Sequence, residues 1–336
     1  PIMPGGVLRE SLVTNWLAGQ GSLEILDEFT EHRLLDEWWE PLDFVADVTS
    51  VNVTALHFGG WYDLYVQGPI DGYRAYLDGG GPGAVGRQYL VIGPWEHFSL
   101  ATEWVAQSGH DVRDTGELTY PDNAFPGGWP YPDTWELLTD WLGHCLRGDA
   151  TSVDSWPPVR VYVMGAVGEE GAPGNVWVDL GDWPPAATVV PRFLTTAGEL
   201  QRFPPAAGEL TLHIDPSDPV PTLGGPNHFP DIEVDGRRMG VGPADQRPVE
   251  ARSDVLSFTT DVLPRPVTVM GRVTARVWIR PDTPDLDLSV RLTDVYPDGR
   301  SMLLLDGIQR ARMRCGEDRE CFLDPGVPAL LSLIHI

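Results

Sequence analysis

Two short stretches decide the reading: Gly59-Gly60-Trp61-Tyr62-Asp63, which follows an apolar, β-branched run at 51–58, and Gly93-Pro94-Trp95-Glu96-His97, which follows a second apolar run at 88–92. Strands buried on both faces of a parallel sheet read as continuous apolar runs, bounded by glycine-bearing loops. Between the two runs, residues 70–77 have helical spacing and stop at Gly79-Gly80-Gly81-Pro82. Strand, helix, strand at this spacing predicts a βαβ unit with a right-handed crossover.

Working outward, residues 23–40 place Leu26, Phe29, Leu34, Leu35, Trp38 and Trp39 at helical spacing among acids, which predicts one or two helices. Residues 99–132 are rich in Gly, Pro and Asp and predict a long surface loop. Residues 134–146 return to a helix with Trp135, Leu138, Trp141, Leu142 and Cys145 on one apolar face, so Cys145 reads as core. After Gly148 the helical period vanishes. Short alternating runs at 159–163, 189–194, 210–214, 255–259, 267–279 and 286–295, separated by Pro and Gly turns, predict an all-β sandwich and a domain boundary near 150.

Composition removes several classes of function. The chain has 336 residues and a formal net charge of −26, with 23 basic side chains, all of them Arg. A phosphate-binding surface needs clustered cations, so nucleic acid is not an expected partner. The absence of lysine excludes Schiff-base chemistry and a Ser-Lys dyad within these residues. No apolar run approaches the roughly 18 residues of a membrane span, so no membrane partner is expected. Three cysteines are too few for a disulfide framework; Cys315 and Cys321 read either as a small disulfide loop or as a free pair. His110-Asp111, His144 and His228 have no metal-ligand spacing, the Asp285/Asp287 alternation reads as a solvated strand face rather than a calcium site, and Glu96 reads as an exposed loop acid rather than a second acid supporting His97. No metal or other cofactor is implied.

An acid after one late strand and a histidine after the next is the order in which an α/β-hydrolase presents the last two members of a Ser-Asp-His set. Asp63 would hold the imidazole tautomer and His97 would move the proton. On spacing alone, Asp63 capping a turn and His97 sitting in a loop explain the same residues. The surrounding words add to the first reading. Gly-Gly-Trp-Tyr-Asp followed by Gly-Pro-Trp-Glu-His resembles the cocaine-esterase-like and X-Pro dipeptidyl-peptidase family of serine hydrolases. The likeness continues through Pro157-Pro158-Val159-Arg160-Val161-Tyr162-Val163-Met164-Gly165, the tryptophan-bearing stretch 177–183, the loop at 219–225 and the strands at 285–314.

The resemblance implies the C-terminal part of an α/β-hydrolase core with a cap remnant, followed by a jelly-roll, galactose-binding-like β-sandwich. In that division residues 1–47 are the remnant of a helical cap, 48–150 the core, 151–330 the sandwich, and 331–336 an apolar, non-native tail. It also implies an enzyme that cleaves ester or X-Pro peptide bonds through an acyl-serine. No G-x-S-x-G turn occurs anywhere in the sequence. The chain is therefore expected to be truncated, to lack its nucleophile and oxyanion donors, and to be nearly inert alone.

The implied substrate is a small ester, amide or short peptide, with Trp61, Tyr62, Trp95 and Phe98 lining an apolar pocket; core packing is the alternative for each. The resemblance implies carboxylates just after the acid in members that prefer an α-amino group; Leu64 and Tyr65 follow Asp63 here, which disfavours an α-amino acid ester. A carbohydrate- or partner-binding sandwich on a degenerate scaffold is the competing reading. Oligomeric state and compartment are not legible.

Overall fold

The structure is a computed structural model and describes residues 3–43, 45, 47–97, 113–121, 134–227, 231–234 and 237–335. Helices α1 (Glu10–Gln20) and α2 (Ile25–Glu31) come first, joined around Val13, Leu17 and Phe29, against which Trp38 and Trp39 pack. Strand β1 (Ala55–Tyr62), helix α3 (Gln67–Gly79) and strand β2 (Gln88–Glu96) form the expected βαβ unit, and β1 and β2 pair in parallel from Ala55↔Gln88 onward. A short hairpin, β3 (Asp114–Thr115) and β4 (Leu118–Thr119), precedes helix α4 (Thr134–Arg147). It lies within the stretch expected to be a loop; 99–112 and 122–132 of that stretch fall outside the described residues.

The expected boundary near 150 does not interrupt the sheet. Strand β5 (Val159–Val163) adds to β2 in parallel, and β6 (Val176–Leu180) closes the sheet antiparallel to β5, giving the order β1-β2-β5-β6. A parallel pair needs a long crossover, and the segment carrying α4 supplies it. Leu90, Ile92, Val159 and Val161 face Val66, Ile70 and Tyr73 of the α3 side. On the other face Tyr162 joins Leu118, Tyr120, Tyr296 and Met302. Burial on both faces explains the unbroken Tyr89-Leu90-Val91-Ile92 run.

The β-rich part continues with two small antiparallel pairs, β7 (Phe193–Leu194) with β8 (Leu200–Gln201), and β9 (Asp231–Val234) with β10 (Arg237–Gly240). The one-turn helix α5 (Arg247–Glu250) follows. Strand β11 (Val273–Ile279) pairs with β14 (Ala329–His335), and β12 (Asp287–Val295) with β13 (Ser301–Arg310). The tail expected at 331–336 is part of β14 as far as His335, and Leu331 and Leu333 are buried in the core with Ala311 and Leu323. Of the other expected strands, 210–214 and 255–259 form no ladder strand, 189–194 is strand only at its last two residues, and 267–279 only from Val273.

Cys145 is exposed rather than core. Leu137 and Trp141, one turn apart on α4, are buried, while Leu138, Leu142 and Cys145 turn toward solvent. Cys315 and Cys321 form a disulfide. Asp287 takes a two-pronged pair from Arg310, and Asp285 accepts the Arg312 backbone N–H. Among the described residues no group of three or more His, Cys, Asp or Glu side chains is placed to hold a metal ion. No helix among them is long and apolar enough to cross a membrane.

Candidate active site

Asp63 is the first residue past β1 and His97 the first past β2, so the parallel pairing of the two strands, with the slip described next, makes neighbours of residues 34 positions apart. The register slips between them: Gly60 faces Gly93, but Tyr62 faces Glu96. One extra residue on β2 is a bulge, which re-aims the side chains that follow it. The bulge brings the Trp95 carbonyl over Gly60, where any Cβ would overlap it. Gly60→Ala is accordingly expected to destabilise the chain by about 2 kcal/mol through forced separation of the strand ends, read as a lower denaturation midpoint at unchanged slope.

The two carboxylate oxygens of Asp63 have separate tasks. Oδ1 accepts the Tyr65 backbone N–H at 2.8 Å, and Oδ2 lies 3.1 Å from His97 Nδ1. One side chain thus both caps the turn after β1 and pairs with the imidazole. Asp63 is 7% exposed, and the Tyr65 ring leans over the imidazole at 5.3 Å. The hydrogen bond to Asp63 raises the His97 pKa above its ordinary value, burial opposes it, and the charges of Asp63 and then Glu96 add to the rise. An ionised carboxylate only accepts, so a neutral His97 paired with Asp63 takes the tautomer with its proton on Nδ1.

Glu96 is not an exposed loop acid. It is the last residue of β2, 1% exposed, and its charge acts on His97. Reading β2 past Ile92 to the end of the motif is the signal that would have found it.

The aromatic residues expected to line a pocket are engaged in packing. Tyr62 is buried and its hydroxyl donates to the Leu303 carbonyl at 2.8 Å. Trp95 is buried between Phe58 and Trp177. Trp61 donates its indole N–H to the Tyr162 carbonyl and leans on Trp183. Phe98 lies outside the described residues. A groove of about 600 Å³ runs along the flank of β1 and α3, lined by Leu56, His57, Phe58, Pro69 and Tyr76 among others, and includes neither Asp63 nor His97. His57, whose pKa burial lowers, bonds Gln88 there.

A parallel βαβ sheet followed by a β-rich region, with an acid and a histidine paired at neighbouring strand ends, defines an α/β-hydrolase-like protein. Residues 151–334, more than half the chain, match the family described as the X-Pro dipeptidyl-peptidase C-terminal non-catalytic domain, and residues 9–99 match the X-Pro dipeptidyl-peptidase S15 family. The chain belongs to this cocaine-esterase-like, X-Pro dipeptidyl-peptidase family. It is 31% identical over 302 residues to the cocaine esterase of Rhodococcus sp. (strain MB1 Bresler), across 86% of this chain and 46% of that protein.

Two solved structures share the fold. An aminopeptidase from a marine sediment Thaumarchaeota archaeon superposes with a TM-score of 0.74 at 24% identity, over 95% of this chain and 50% of its own. An α-amino acid ester hydrolase gives 0.71 at 24% identity, over 99% and 52%. The chain spans about half the length of the curated relatives it matches.

Proposed function

We propose that Asp63 and His97 are the acid and base of a serine hydrolase that cleaves ester or peptide bonds of small substrates, with the serine carried by a segment outside these 336 residues. The observation that carries this reading is the 3.1 Å approach of His97 Nδ1 to Asp63 Oδ2, at the ends of adjacent parallel strands. In the first half-reaction the serine oxygen attacks the carbonyl carbon while His97 Nε2 takes its proton. The tetrahedral adduct then collapses as that proton passes to the departing alcohol or amine, leaving an acyl-serine. Water reverses the sequence and releases the acid. Asp63 stabilises the imidazolium formed at each step.

The β-rich part is read as a jelly-roll sandwich, supported by the antiparallel pairs β11–β14 and β12–β13 and the apolar core they share. The test is to sequence the coding DNA in frame upstream of Pro1 and assay the product of the extended frame on a short-chain aryl ester. A strand ending in a G-x-S-x-x-G turn, together with hydrolysis by that product, is expected. A start codon with no such serine overturns the reading.

A further inference from the structure

Both ends of the Asp63–His97 pair are tied to the same piece of the β-rich region. On the acid side, Tyr62 immediately precedes Asp63 and donates to the Leu303 carbonyl on β13, 241 residues away in sequence. Leu303 N–H donates in turn to the Ala244 carbonyl at 3.0 Å. On the histidine side, the buried Thr115 hydroxyl of β3 donates to the Pro94 carbonyl at 2.7 Å, three residues before His97. The hairpin carrying Thr115 is held against residues 243–245: Glu117 N–H donates to the Pro243 carbonyl at 2.9 Å, and Glu117 Oε2 accepts the Asp245 N–H at 3.2 Å. Asp245 and Gln246 then bond Ser301, next to β13 residues Met302 and Leu303. The circuit therefore closes from Asp63 through Tyr62, Leu303, Ala244, Glu117, Thr115 and Pro94 to His97.

The sequence is shaped for this closure. Gly116 has φ +62°, and a Cβ there would overlap the carbonyl oxygens of Pro243 and Val241, so the hairpin can dock this closely only without a side chain. The Tyr62 phenol has its pKa pushed well above its ordinary value, by burial first, so it remains a donor throughout the working pH range.

We infer that the β-rich region sets the alignment of the Asp63–His97 pair through this circuit, with Tyr62 and Thr115 as positioning residues on the acid and histidine sides. The inference rests on the proposed acid–base pairing. A triad hydrogen bond tolerates only a few tenths of an ångström of misplacement before its strength falls. Past the bulge a single register pair, Tyr62↔Glu96, joins the two strand ends. A brace that fixes both ends to one scaffold removes their relative motion, which is the quantity that matters.

The test uses the 336-residue chain, labelled at histidine, with NMR observation of the His97 Nδ1–H resonance and of its pKa. His97→Ala assigns the signal, and Asp63→Asn gives the unpaired limit. Tyr62→Phe and Thr115→Val are each expected to weaken the hydrogen-bonded signal and lower the His97 pKa by about half a pH unit. Thr115→Ser, which keeps the hydroxyl, is expected to restore both. Tyr73→Phe removes another buried phenol, one on helix α3 and outside the circuit, and is expected to leave His97 unchanged. If Tyr62→Phe does not fold, the Thr115→Val and Thr115→Ser pair decides the matter. Unmoved His97 signals in the circuit variants, or an equal shift in Tyr73→Phe, overturn the inference while leaving the pairing intact. A wild-type His97 signal that Asp63→Asn does not change overturns the pairing itself and the inference with it.

Discussion

Joined to a serine-bearing segment, the chain with His97→Ala is expected to hydrolyse an aryl ester about 10⁵–10⁶-fold more slowly than the same protein with histidine in place. The size of the loss follows from what the imidazole does. Neutral His97 offers the Nε2 lone pair as proton acceptor, and without it the serine must lose its proton to water at its own high pKa. The ground-state fold should be nearly indifferent to the change, since His97 sits at a strand end and is only half-buried. A drop in kcat/KM with an unchanged unfolding midpoint is therefore the expected signature, measured by steady-state kinetics beside urea titration. Activity within tenfold of the parent would remove His97 from the chemistry.

The βαβ unit was legible because buried parallel strands leave an unambiguous apolar trace, but its edges were not. The run at 51–58 predicts a strand beginning at Val51, whereas β1 begins at Ala55. The Val51 carbonyl and the Asn52 side chain instead receive the Gly81 and Gly83 N–H groups at the end of α3. At the other end, Gly59 and Gly60 look like loop residues because glycine is disfavoured in strands. They stay in β1 because the backbone of β2 approaches too closely for a side chain at Gly60.

The β-rich part was harder to read. Alternating runs around Val189, Leu210 and Leu256 satisfy the strand pattern, yet those side chains are exposed and find no ladder partner. Alternation records the tendency to form a half-buried strand, while pairing depends on a neighbour that sequence does not locate. The same limit hid the pairing of β5 with β2, because a strand's own residues do not name its neighbour.

At the site, residue types and order were legible and placement was not. The apposition of Asp63 with His97 depends on a register slip of one residue, and no periodicity encodes a bulge. The aromatic residues show the converse. Tyr62 and Trp95 suit a pocket wall by chemistry, but their burial assigns them to the packing that holds the two strand ends together.

Asp63→Asn is expected to lower kcat of the serine-bearing protein by about 10⁴-fold, and the reason lies in the division of labour between the two side-chain oxygens. Asn keeps an oxygen for the Tyr65 N–H, so the turn survives and the amide NH₂ is left facing His97 Nδ1. A donor there forces Nδ1 to accept, moves the imidazole proton to Nε2, and turns the base away from the serine it should serve. The pH dependence gives an independent reading. Because the bond to Asp63 raises the His97 pKa, the acidic limb of the parent profile should lie above the ordinary imidazole value of about 6.5, and in Asp63→Asn it should fall back toward or below it.

Stability should change in the opposite sense. A raised folded-state pKa stabilises the fold fully below the unfolded value of about 6.5, and that contribution is lost as pH rises through the folded value. The parent should therefore exceed Asp63→Asn in stability most at acidic pH, and the gap should narrow over the same window in which activity appears. Urea titrations on either side of that window, set beside the pH–rate profile, measure both. A constant gap with an unshifted limb would mean that Asp63 does not control the protonation of His97.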